Sequence, residues 1–390
     1  MEPSHTDRDT LRRLGAQVAE IAQSPLNRIR RENADKISNL KPAKPLVSIY
    51  QVPWNEMDVD GELTLTTEAP WCRGLEWHLR ETIYSWNHMP GDMVVGGSIG
   101  QPYVVSDTGF GISEDVDVVR TDDTSDVVSR HFNIQIRDES DVEKIKIPQV
   151  SCDAAATEVG YQRLCQLFDG ILPVHIHKTG SFWFAPWDEL VRLTGVTEIL
   201  TDMILRPSYV NALMDRFVTA WLRRLGQYEA LDLLSAPAMQ LWGVGAAQIF
   251  SEVSPAMHEE FALQHEARWY ERFGMNYYGC CEPLDDKVDI CLKHIPRLRK
   301  ISMSPWVDFD RAVRNVGDRL IFAWKPNPAI FAGDAWDPEW VRKDMREKLE
   351  KAKDCIVEIH LKDISTVRYK PQRLWEWARI ASEVTQEFAK

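Results

Sequence analysis

Asn276-Tyr-Tyr-Gly-Cys-Cys-Glu-Pro-Leu-Asp-Asp286 is the stretch on which the reading of this chain turns. An apolar, strand-like run enters it and stops at Gly279. Two adjacent cysteines, Cys280 and Cys281, follow with Glu282 and Pro283, and then a helix whose first turn carries Asp285 and Asp286. In α/β proteins the carboxyl ends of parallel strands do the chemistry, because the loops there gather side chains around one mouth. A lone free cysteine is commonly a small buried hydrophobe. A Cys-Cys-Glu cluster at a strand's end points instead to a site.

Working outward, the same pattern recurs. Apolar runs at 44–50, 92–99, 170–178, 239–245, 298–303, 319–325 and 356–361, with the run entering the cysteines, make eight strands. Helical spacing covers 67–88, 154–168, 187–229 and 371–388. Ser254-Pro255 opens another helix by the Ser-cap and Pro-first signal, and Pro338 starts one running to 353. From the third strand on, apolar strands alternate with helices, as they do when both sheet faces are covered. The expected fold is an α/β (β/α)8 TIM barrel spanning 45–390. Leu11, Leu14, Val18 and Ile21 place an N-terminal helical arm over 1–44. Alternating polar and apolar residues at 115–119 and 132–136, around an acidic turn, place a solvent-facing β-hairpin insertion within 109–137.

The totals narrow the function. At 390 residues and 44% hydrophobic content the chain is long enough for a large core. A formal charge of −13 and pI near 5.3 argue against a nucleic-acid or anionic-membrane binder, which needs clustered Lys and Arg. The N-terminus lacks a signal-peptide pattern and no run of apolar residues is long enough to span a bilayer, so a cytoplasmic location is expected. Seven cysteines without regular spacing suit a reducing compartment. Fifteen tryptophans point to aromatic-lined cavities or a subunit interface, and a homodimer is the oligomer considered.

A barrel would bring Glu56, Ser98, His177, Lys178, Trp242, Cys280 to Glu282, Ser304, Lys325 and His360 to Asp363 to strand ends. Thiolate, imidazole and carboxylate together suit zinc, with Cys281 as the leading ligand. Zinc would polarise a leaving oxygen. Trp54, Trp242, Trp306 and Trp324 near strand ends suggest an aromatic pocket. His175 and His177, two apart on a strand, offer a rival: a zinc-dependent hydrolase of amidohydrolase type. Glu358, His360 and Lys362 share one face of the last strand, either lining a polar lumen or bridging on the exterior.

Residues 160–385 resemble the uroporphyrinogen decarboxylase superfamily, in particular its corrinoid-linked methyltransferase branch. The likeness rests on Ser254-Pro255, the Cys-bearing strand end, Pro326-Asn-Pro328 where the family has an Asn-x-x-Pro turn, and the helix starting near Pro371. Trp54-Asn-Glu56, Tyr278-Gly-Cys-Cys-Glu-Pro-Leu284 and Leu361-Lys-Asp-Ile-Ser-Thr-Val367 look like a subgroup linked to O-demethylation. The resemblance implies zinc-dependent methyl transfer from a small methylated compound, such as an aryl methyl ether, to cobalamin carried by a partner corrinoid protein. On that reading Cys281, Cys280, Glu358 and His360 are the metal ligands. Cys281, Glu282, His177, Lys362 and Asp363 are catalytic; Trp54, Glu56, Trp242, Trp306 and Lys325 hold substrate. The family's His-x-Cys pair on strand five is replaced by Tyr278 or Gly279 before Cys280 or Cys281. Its strand-eight Cys is replaced by Lys362-Asp363. No Arg in 52–56 supports a decarboxylase.

Overall fold

The structure, a computed structural model, describes residues 3–120 and 128–390. Strands in chain order are β1 (Leu46–Ile49), β2 (Ile99–Pro102), β3 (Val104–Asp107), β4 (Val116–Val119), β5 (Ser129–Phe132), β6 (Val150–Asp153) and β7 (Val174–His177). Then follow β8 (Trp183–Phe184), β9 (Trp242–Gly245), β10 (Met275–Tyr278), β11 (Leu298–Met303), β12 (Ile321–Trp324) and β13 (Ile356–Leu361). Seven of them form one parallel sheet in the order β1-β13-β12-β11-β10-β9-β8, with helices between most of them. β2 and β7 form a separate parallel pair.

Of the expected eight-stranded barrel the structure shows a central seven-stranded parallel sheet with helices, and no ladder closes it among the described residues. The departure has a local cause. The run at 92–99 was expected as a strand, yet only Ile99 belongs to one. Residues before it turn sharply against β1. Gly91 adopts φ 47° and a Cβ there would strike the Val47 carbonyl, while Asp92 donates its N–H to Val47 O (2.7 Å) and accepts from Val47 N through its carboxylate (2.9 Å). A side chain therefore meets one of β1's donors where a ladder would otherwise run.

The helical arm folds onto the body. Ser4 and Asp7 cap the first helix reciprocally, and Leu11, Leu14 and Val18 bury against Leu79, Leu164 and Phe168. The second helix, which Pro25 begins, carries Ile37 into a plug with Leu46, Ile321 and Ile356. Those three are the first residues of β1, β12 and β13, so the plug marks the amino ends of the sheet.

Within 109–137, β4 and β5 pair antiparallel, and the tip residues 121–127 lie outside the described residues. The second strand comes earlier than expected, at Ser129–Phe132. Ile136 is buried instead, with its N–H and that of Gln135 on the Leu193 carbonyl. No described helix is long and apolar enough to cross a membrane.

Candidate functional site

Side chains two apart on a strand share a face. On β13 this puts Ile356, Glu358 and His360 in one row, with Lys362 continuing it beyond the strand; the register sets Glu358 beside Ala323 on β12 and His360 beside Ser48 on β1, with Lys300 one step lower on β11. The row faces the interior. Ile356 belongs to the plug at the amino ends. Above it Glu358 accepts from Lys300 Nζ (2.6 Å) and sits 2.8 Å from His360 Nε2. Lys300 also lies over the Trp242 and Tyr277 rings. Although burial alone would raise it, the Glu358 carboxyl is held down to about 2 by His360 and Lys300.

Lys362 stands at the carboxyl end. Its ammonium donates to Cys280 Sγ (2.9 Å) and lies 3.1 Å from Asp363 Oδ2. Cys281 Sγ is 3.5 Å from Cys280 Sγ and 3.6 Å from the same Asp363 oxygen. Three groups lock the backbone beneath. Glu282, fully buried, accepts from Cys280 N (2.9 Å) and Ala247 N (3.2 Å), while Ser302 Oγ and Lys325 Nζ both donate to Cys280 O (2.8 and 2.6 Å). Gly279 makes the turn at φ 100°, where a Cβ would collide with Leu284 and Ser302. The hydrogen bond from Cys281 and the two lysines pull the Cys280 thiol down against burial, and Cys281 is pushed up in turn by the same bond. Burial pushes Glu282 up to about 7. The result is a thiolate paired with lysine.

A cavity of about 330 Å³ opens onto this cluster, lined among others by Cys281, Trp306, Lys325, Asn327, Lys362 and Asp363. Trp306 is 70% exposed at its rim. The structure thus brings together Cys280, Cys281, Lys325, Lys362, Asp363 and Trp306.

The remaining expected site residues are elsewhere. Trp242 starts β9 and sits at the amino end, in contact with the plug, so it cannot reach the cavity. Glu358 and His360 lie below Lys362 by four and two residues, roughly 13 and 7 Å at strand rise. They cannot share an ion with the cysteines. Glu56 is a staple: it accepts from Thr366 Oγ1, Val367 N and Tyr369 N and fixes the loop after β13. Trp54 packs edge-on against Trp77 and Tyr84. His175 and His177 are exposed on β7, and His177 lines a separate groove with Tyr103 and Ser181. Removing the Glu56 carboxylate (Glu56→Ala) should lower unfolding stability by about 2–3 kcal/mol, since three donors lose a charged acceptor. An unchanged denaturant midpoint would show that the loop holds itself.

The donor set does not fit zinc as arranged. Among the described residues no three His, Cys, Asp or Glu side chains form a group that could hold a metal ion. The reason is visible: the Lys362 ammonium contacts both Cys280 and Asp363, and Glu282 spends its oxygens on backbone N–H groups.

Ser302 was not singled out from the sequence as a site residue, although a serine two beyond Lys300 on an apolar strand is a legible signal for the same interior face. Asp188 and Gln248 were also missed. Gln248 donates to Asp188 through both N and Nε2 (2.9 and 2.5 Å), next to the Ala247 that binds Glu282, and both line a second cavity of about 440 Å³. Nothing local in the sequence joins positions 60 residues apart.

Comparison with solved structures adds one observation. In fold, the chain is similar to a methyltransferase from Methanosarcina mazei. The superposition covers 91% of this chain and 98% of that one, with a TM-score of 0.53 and 12% sequence identity. No protein-family model matches the sequence, and no curated protein matches it.

Proposed function

We propose that this chain is a methyltransferase that moves a methyl group from a small methylated compound, such as an aryl methyl ether, to a partner corrinoid protein. The observation that carries the reading is the lysine-paired cysteine cluster at the carboxyl end of the parallel sheet, beside a cavity with an aromatic rim. The fold likeness to a methyltransferase supports it, as does the resemblance of 160–385 to the corrinoid-linked branch of the uroporphyrinogen decarboxylase superfamily. The seven-stranded sheet, with the β2·β7 pair beside it, is read as a TIM-barrel-like fold.

Demethylation of an ether needs a nucleophile for the methyl carbon and help for the departing oxygen. The partner's reduced corrinoid supplies the nucleophile. This chain supplies the rest. Trp306 and the proline-rich wall of 326–328 hold the ring, and the Lys362 ammonium faces the oxygen on which charge develops, stabilising it where water is excluded. Asp363 and Cys280 keep Lys362 charged and aimed. Lys325, Ser302 and Glu282 fix the backbone that carries Cys280. No step passes through zinc. The chain is read as a cytoplasmic protein.

The test is anaerobic incubation of purified protein with reduced cobalamin and a methoxybenzoate. Phenol formed only when cobalamin is present supports the reading. Methanol released without cobalamin would instead make the chain a hydrolase.

The cluster also makes a prediction of its own. Because Cys280 is held below the usual thiol range, it should stay reactive to iodoacetamide at pH about 6–7, where an unperturbed thiol is almost wholly protonated. A rate that falls with the profile of a free thiol would contradict the pairing.

A further inference from the structure

Two adjacent cysteines are more than this methyl-transfer reading uses, since Cys281 has no role in it beyond lining the cavity. We infer that Cys280 and Cys281 form a covalent modification site, a vicinal dithiol that hydroperoxides oxidise to a disulfide, with Cys280 attacking and Cys281 resolving.

Geometry separates this pair from the other five cysteines. Among the described residues it is the one place where two thiol sulfurs are in contact, at 3.5 Å. Closing that gap to a bond of about 2.0 Å asks for side-chain rotation and for a twist of the Cys280–Cys281 peptide, since adjacent Cα atoms, about 3.8 Å apart, are closer than in most disulfides. Cys280 is held at both its N–H and its carbonyl, so Cys281, half-buried on the cavity wall, is the partner that moves. Lys362 lies 2.9 Å from Cys280 Sγ and stabilises the thiolate, the form that attacks an O–O bond. Reactive cysteines of this kind commonly stand beside a resolving thiol. Cys280 is buried too, as are Cys72, Cys291 and Cys355, but among the described residues those three have no lysine hydrogen-bonded to sulfur, and burial pushes their thiols up, away from reactivity.

The chemistry balances. Cys280 thiolate attacks hydrogen peroxide, forming an S–O bond, breaking O–O and releasing hydroxide, so that sulfur is oxidised and the peroxide reduced. The Cys281 thiol then attacks the sulfenic sulfur, forming the S–S bond. Its proton leaves with the sulfenic hydroxyl as water. The disulfide carries no negative charge, so Lys362 loses the thiolate and keeps Asp363, while Lys325 keeps the Cys280 carbonyl. This inference stands without the methyl-transfer reading.

The full-length protein is treated with hydrogen peroxide, unfolded, alkylated with iodoacetamide and mapped by mass spectrometry. The expected result is that the peptide carrying Cys280 and Cys281 loses two hydrogens, resists alkylation and regains both thiols with dithiothreitol, while Cys72 and Cys291 still alkylate. In Cys281→Ala, dimedone should trap a sulfenic acid on Cys280; in Lys362→Met, loss of the two thiols should slow on the order of tenfold. Full alkylation of both thiols after peroxide would overturn the inference. So would dimedone labelling of Cys281 in Cys280→Ala as fast as that of Cys280 in Cys281→Ala.

Discussion

Lys362→Met should lower the rate of methyl transfer on the order of 10²–10³-fold while leaving the fold intact. Removing one preorganised charge from a developing oxyanion has that scale of effect. The side chain is 8% exposed and its ammonium touches Cys280 and Asp363, so no solvent cation stands ready to replace it. Methionine keeps the length. Without the ammonium Cys280 reverts towards a neutral thiol beside Cys281, and no charge is stranded, so unfolding stability should change little. The effect should therefore fall on turnover, measured with reduced cobalamin and a methoxybenzoate. A variant as fast as the parent would remove Lys362 from the chemistry. Lys362→Arg should recover less than half of the loss, because a planar guanidinium cannot direct one point charge at both Cys280 and Asp363.

Glu358→Ala should destabilise the protein by about 3–5 kcal/mol, the scale for breaking a buried ion pair from one side. Lys300 would keep its charge under two aromatic rings with no carboxylate to meet it. The double variant Lys300→Met with Glu358→Leu should recover most of the loss, since an apolar pair leaves nothing unpaired. The pH dependence has a definite sign. The carboxyl is held at about 2, below the ordinary 4.5, so its contribution is fully present above about 4.5 and disappears as pH falls towards 2. Denaturant melts of parent and variant should converge across that window. A gap that persists unchanged at pH 2.5 would contradict the pairing.

Much of the second half of the chain was legible in the sequence, because each strand from 298 onward is a short apolar run bounded by Pro, Gly or charge. β11 and β13 fall where the pattern put them, at Leu298–Met303 and Ile356–Leu361. The first half was less so. Met93 to Gly97 look like a buried strand by composition, but Gly91 and Asp92 turn the chain into β1 and spend a side chain on its ladder, an effect no apolar count detects. The row Glu358, His360, Lys362 reads as one face from its spacing alone. Its depth does not. That Lys362 meets the cysteines while Glu358 meets Lys300 depends on the register of β13 against its neighbours, and register is set by pairing across the sheet. The same blindness moved Trp242 to the wrong end: a tryptophan in a strand-like run carries no mark of whether the strand begins or finishes there.

The most direct test of the account follows the cobalt. Reduced cobalamin and a methoxybenzoate are mixed anaerobically with the parent protein, with Lys362→Met and with Trp242→Phe, and methylcobalamin formation is followed by absorbance. The parent and Trp242→Phe should form it at similar rates, and Lys362→Met on the order of a hundredfold more slowly. Methylcobalamin formed equally by all three, or lost only when Trp242 is changed, would place the chemistry away from the Cys280–Lys362 mouth.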